Sequence, residues 1–98
     1  MKPCKRIEIV IEEALAPRLA DQLEAINAPG YTLLHRAAGR GNRGLRRADD
    51  PTGTLSNCVF IIAVEEEQMV TSIVDAVRPI LSRSGGICLV SDALWGRH

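Results

Sequence analysis

"NCVFIIAVE", Asn57 to Glu65, decides the fold. Its length and its β-branched and aromatic content mark it as a strand. Cys58, Phe60, Ile62 and Val64 fall on one face, and Val59, Ile61 and Ala63 fall on the other. Both sets are apolar, and a strand apolar on both faces belongs to a sheet covered on both sides.

Working outward, "KRIEIVIEE" (Lys5–Glu13) alternates Ile7, Ile9 and Ile11 against Arg6, Glu8 and Glu12, which predicts a strand with one buried face. "ALAPRLADQLEAINAPG" follows, with Pro17 suited to a first helical turn. Leu15, Leu19, Leu23 and Ile26 recur at helical spacing until Ala28-Pro29-Gly30 stops the run. "YTLLHRAA" (Tyr31–Ala38) is a second strand. Beyond Asn57–Glu65, the stretch Glu66–Ser82 reads as a second helix with Met69, Val70, Ile73, Val74, Val77, Ile80 and Leu81 as its stripe. Pro79 is expected to kink its last turn. "SRSGG" ends that helix and "ICLVSDALW" is the fourth strand. The order βαββαβ is an α+β, ferredoxin-like arrangement, with two helices on one face of a four-stranded antiparallel sheet. The helices cover only one of the two apolar sets; a somewhat apolar open face is the plainer alternative, and self-association through the sheet is the expectation.

The chain has 98 residues, 46% hydrophobic and 24% charged, which fits one globular domain spanning residues 1–98. No apolar run is long enough for a bilayer and no secretory signal opens the chain, so a cytoplasmic protein without membrane insertion is expected. Cys4, Cys58 and Cys88 are odd in number and form no CxxC, which points to reduced thiols rather than a zinc site or disulfide framework. A net charge of zero argues against a surface that coats nucleic acid.

The positive charge is nevertheless local. Arg36, Arg40, Arg43, Arg46 and Arg47 are five of the twelve basic residues. Four of them lie in "GRGNRGLRRADDPTGT" (Gly39–Thr54), a loop far longer than the roughly two to five residues a hairpin needs. Pro51 and Gly53 oppose regular structure in its second half. Gly39, Gly41 and Gly44 match GxGxxG, yet no helix follows, so a dinucleotide-binding unit is rejected. Glycine N–H groups beside arginine forks still suit an anion such as phosphate; a solvated basic loop is the plainer alternative. "SRSGG" (Ser82–Gly86) adds two hydroxyls, an arginine and two glycines, and its plainer reading is a helix C-cap. In a βαββαβ fold both segments lie at the same end of the sheet, which would make a nucleotide cleft.

These residues resemble the PII signalling superfamily, particularly its branch associated with carboxysomes and bicarbonate transporters. "GYTLLHRAAGRGNRG" is similar to the second strand and start of the T-loop, "SRSGGICLV" to the B-loop and last strand, and "DALWGRH" to the terminal segment of that branch. The resemblance covers nearly the whole chain. It implies a homotrimer whose sheets line a central barrel, with adenine-nucleotide sites between subunits. It places phosphates at Gly39, Arg40, Gly41, Arg43 and Arg46 with Gly85 and Gly86, and adenine at Thr32. It further implies ADP or AMP as ligands, with ATP as a further candidate, bicarbonate as a second signal, and a bicarbonate transporter or carboxysome-related protein as partner. The chain departs from the nitrogen-regulatory proteins in having no tyrosine in the loop, which removes uridylylation there. Asn42 lies near where they carry the glutamine used around magnesium and 2-oxoglutarate. The chain stops at His98, so no C-terminal redox switch is expected.

Two rivals share the topology. An RNA-binding module needs aromatic platforms, and Phe60 is the single aromatic on the first and third strands. An acylphosphatase-like enzyme needs an anion loop after the first strand, where "EEALAPR" has no glycine. No nucleophile–base pair or metal cluster stands out, so no catalytic residue is assigned. His35 and His98 are isolated, Cys58 and Cys88 fit core positions, and Trp95 fits a ligand shield or a subunit contact.

Overall fold

The computed structural model describes residues 1–41, 44–46 and 56–96, without the side chains of 39–41 and 44–46. The elements are β1 (Lys2–Glu12), a 3₁₀ turn (Glu13–Leu15), α1 (Ala16–Ala25), β2 (Tyr31–Ala37), β3 (Gly39–Gly41), β4 (Gly44–Arg46), β5 (Asn57–Val64), α2 (Glu67–Ser84) and β6 (Ile87–Trp95). Four strands form an antiparallel sheet in the order β2-β5-β1-β6. β3 and β4 pair separately as a two-stranded ribbon.

Alternation along the two central strands builds the core. Ile7, Ile9 and Ile11 of β1 lie beside Ile62, Phe60 and Cys58 of β5, all on the helix-covered face and all essentially sealed from solvent. Leu19 and Leu23 of α1 and Ile73, Val77 and Ile80 of α2 close that layer. Tyr31 on edge strand β2 stacks its ring 5.0 Å from that of Phe60. Each fully buried side chain of this size stabilises the fold by roughly 1.5–3 kcal/mol relative to exposure.

None of the described helices lies on the opposite face. Val10, Val59 and Ile61 are half-buried there, and Leu34, Ile87 and Leu89 are about half exposed at 50%, 51% and 54%. Arg6 and Glu8, two residues apart and so on this same face, form an ion pair at 2.6 Å. The apolar second face read from Val59, Ile61 and Ala63 is thus a property of the sheet.

Boundaries differ from the sequence reading for local reasons. A 3₁₀ turn precedes α1, and Pro17 lies in the first turn of the α-helix, where no N–H is needed. α1 ends sooner than its apolar stripe suggests, because Asn27 turns into the left-handed region at φ 57°. α2 runs through Pro79, which is exposed, and ends at Ser84, two residues beyond the expected end at Ser82. The first part of the basic loop is a paired ribbon rather than irregular chain, with Gly39 opposite Arg46, Arg40 opposite Leu45 and Gly41 opposite Gly44. The expectation for its second half, at Pro51 and Gly53, lies outside the described residues.

Phe60 touches both the helices' core and Tyr31. Phe60→Ala should lower unfolding free energy by about 3–5 kcal/mol in urea titrations, the range for removing a buried aromatic.

Candidate functional site

The strand registers define the end of the sheet at which the basic segment emerges. Glu12 and Ala37 each pair with Asn57, and Val10 pairs with Ile87. The end of β1, the end of β2, the start of β5 and the start of β6 therefore share one end of the sheet. Gly39 begins the ribbon two residues after β2, and Gly85 and Gly86 separate α2 from β6 at that same end. Arg40, Gly41 and Arg46 belong to the ribbon, whereas Arg43 and Asn42 lie outside the described residues. Thr32 is elsewhere: it pairs with Ile61 near the opposite end of β2, exposed on the helix-free face.

The glycine pair after α2 has a structural basis of its own. Gly85 takes φ 76° as the C-cap and donates its N–H to Leu81 O at 2.9 Å, the left-handed helix ending that glycine favours. Ser82 Oγ donates to Pro79 O at 3.1 Å and Ser84 Oγ to Ile80 O at 2.9 Å, so both hydroxyls are turned onto the helix. A Cβ on Gly86 would stand 2.3 Å from Val10 O and 3.0 Å from Ile11 Cγ2. Gly86 is therefore the residue that lets the turn lie directly on β1.

Glu13, which the sequence reading passed over, organises the base of the ribbon. Its Oε1 accepts the Arg36 N–H at 2.8 Å, and its Oε2 is hydrogen-bonded to His35 Nδ1. Arg36 sits at φ 58° where the β2–β5 register breaks between Leu34 and Ala37. The Glu13 N–H donates to Ser56 O at 3.0 Å, immediately before β5. Burial pushes the Glu13 carboxyl up, but the bonds from Arg36 and His35 and their nearby charge outweigh it and hold it below its ordinary value of 4.5. A depressed carboxylate adds stability that is present above its unfolded value and lost as pH falls through its folded value.

The thiols of Cys58 and Cys88 are held in their protonated form. Burial, with the Glu13 charge adding to it, pushes the Cys58 thiol up to about 12, and burial also raises Cys88. Cys58 is in the core as expected, while Cys88 is half-buried and packs against it. Among the described residues no group of three or more His, Cys, Asp or Glu side chains could hold a metal. None of their helices is long and apolar enough to cross a membrane. Phe60 faces the helices and is sealed, so it offers no platform for a base. The segment between β1 and α1 is a 3₁₀ turn led by Glu13, where an acylphosphatase-like site would need an anion loop.

Fold and edge geometry together describe a ferredoxin-like sheet with a long excursion after its second strand. Residues 4–98 match the family model described as nitrogen regulatory protein P-II, and the chain belongs to that family. It is similar in structure to CPII, a nitrogen regulatory PII-like protein from Thiomonas intermedia bound to ADP, AMP and bicarbonate. That match has a TM-score of 0.85 at 26% identity and covers 97% of this chain and 90% of CPII. CPII bound to ADP and bicarbonate matches with a TM-score of 0.81 at 26% identity, over 97% of this chain and 90% of that one. A PII-like signalling protein from Thermus thermophilus shares the fold, with a TM-score of 0.77 at 22% identity over 96% and 90% of the two chains.

Gly86→Ala should lower stability by about 1–3 kcal/mol, the cost of overpacking, because the added methyl meets a backbone oxygen. Urea unfolding checks the value, and a neutral outcome would mean that the turn does not rest on β1.

Proposed function

We propose that this chain is a PII-like regulator that binds an adenine nucleotide, ADP or AMP with ATP as a further candidate, at clefts between subunits of a homotrimer. The single observation supporting this reading is that the arginine-bearing ribbon and the Gly85-Gly86 turn leave the same end of the sheet. Phosphate oxygens would meet Gly39, Arg40, Gly41, Arg43 and Arg46 from one side and the turn at Gly85 and Gly86 from the other. Backbone donors and guanidinium forks are the groups that hold phosphate well. Thr32 would meet the adenine, lying along β2 from the ribbon on the uncovered face.

The trimer is supported by that face. Leu34, Val59, Ile61, Ile87 and Leu89 form an apolar surface that two further copies would cover. Bicarbonate is the proposed second ligand, supported by its presence in the CPII structures bound to ADP. Both ligands would favour the same arrangement of the segment from Gly39 to Thr54, so their binding would be reciprocally coupled. That arrangement would be read by a bicarbonate transporter or a carboxysome-related protein, in the cytoplasm, with no reaction catalysed.

Light scattering at micromolar concentration should give three times the chain mass, and Leu89→Lys should reduce it by placing charge on the covered face. A monomeric parent would overturn the assembly. Arg43→Ala or Arg46→Ala should weaken ADP binding by roughly 1.5–3 kcal/mol in calorimetry, the range for hydrogen bonds to charged groups. Unchanged affinity in both variants would remove the ribbon from the phosphate site.

A further inference from the structure

We propose that Glu13 is the positioning residue of the basic segment, a latch that fixes where the chain leaves β2 and where it re-enters β5. The proposal rests on the nucleotide reading for its functional consequence, and on geometry alone for the latch.

β1 and β2 are not neighbours, since β5 lies between them. Glu13 follows β1 directly and its side chain reaches past the start of β5 to β2. There one carboxylate oxygen takes the Arg36 N–H and the other takes the His35 ring nitrogen. Meanwhile its main-chain N–H holds the carbonyl of Ser56, a fully buried residue on the returning limb. One residue thus binds both limbs of the excursion, through its side chain on the outgoing side and its backbone on the returning side.

The outgoing bond falls where the chain needs it. Arg36 is a non-glycine residue in the left-handed region, a conformation that costs an ordinary L-residue roughly 1–2 kcal/mol. Such a turn persists only where surrounding contacts determine it. A hydrogen bond to an ionised acceptor is among the stronger contacts available, and here it ends on the strained residue's own N–H. Three residues later Gly39 opens the ribbon that carries Arg40 and Arg46. The direction of that ribbon relative to Gly85 and Gly86 therefore depends on the turn at Arg36, and the turn on Glu13.

The test combines amide exchange without ligand and ADP calorimetry on the full chain. Glu13→Ala should raise exchange at the Arg36 amide and weaken ADP binding, each by about tenfold, as expected for losing a charge-assisted bond. Glu13→Gln, nearly isosteric, should lie between alanine and the parent and stands in if the alanine variant does not fold. Glycine reaches positive φ without the steric cost, so in an Arg36→Gly background the same Glu13→Ala change should cost much less ADP affinity. A merely structural role for Glu13 would not produce that dependence. Retained Arg36 protection in Glu13→Ala, or an equal loss of affinity in both backgrounds, overturns the latch. A parent that does not bind ADP removes the nucleotide reading, and the Arg36 amide then decides the latch by itself.

Discussion

Everything else in the molecule leans on the contact between the inward isoleucines of β1 and the inward residues of β5. Ile7, Ile9 and Ile11 lie opposite Ile62, Phe60 and Cys58, none of them measurably open to solvent. Both helices bury their stripes on this pair of strands, and both edge strands hang from it. Because β1 and β5 are central, their ends also decide where the connections emerge. Register fixes that strictly, since a slip of one residue would exchange the core set for the outer set along a whole strand.

Most of this architecture is legible in the residues. Alternation in "KRIEIVIEE" and the double apolar character of "NCVFIIAVE" locate the two central strands, and helical spacing locates both helices. The misplacements occur where local chemistry overrides periodicity. Asn27 shortens the first helix although Ile26 continues its stripe, and the second helix runs through the exposed Pro79 to Ser84. The ribbon formed by Gly39–Gly41 and Gly44–Arg46 was hidden because glycine-rich, charged sequence carries little strand propensity.

The candidate site divides differently. Its glycines and arginines are visible because their chemistry is local: each offers donors whatever the surrounding chain does. Topology alone then puts the Gly39 and Gly85-Gly86 segments at a common end of the sheet. Glu13 could not be found that way. Its role depends on a side chain crossing a strand that is distant in sequence, and "EE" at the end of a strand gives no sign of which carboxylate turns inward. One cue does exist in retrospect. Two consecutive residues, His35 and Arg36, interrupt the apolar run of β2 where a bulge would require an anchor.

The absence of space at residue 86 has a consequence for how this protein could vary. With Val10 O only 2.3 Å from any Cβ placed there, position 86 of the turn after α2 has room for backbone alone. A residue that must stay glycine cannot vary its side chain, so that position of the proposed cleft would be chemically fixed. In the proposed site, selectivity would then be written on the opposing wall, in the spacing and charge of the ribbon residues. Homologues or redesigned versions could exchange one anionic ligand for another by altering Gly39 to Arg46 while the helix-side turn stays as it is.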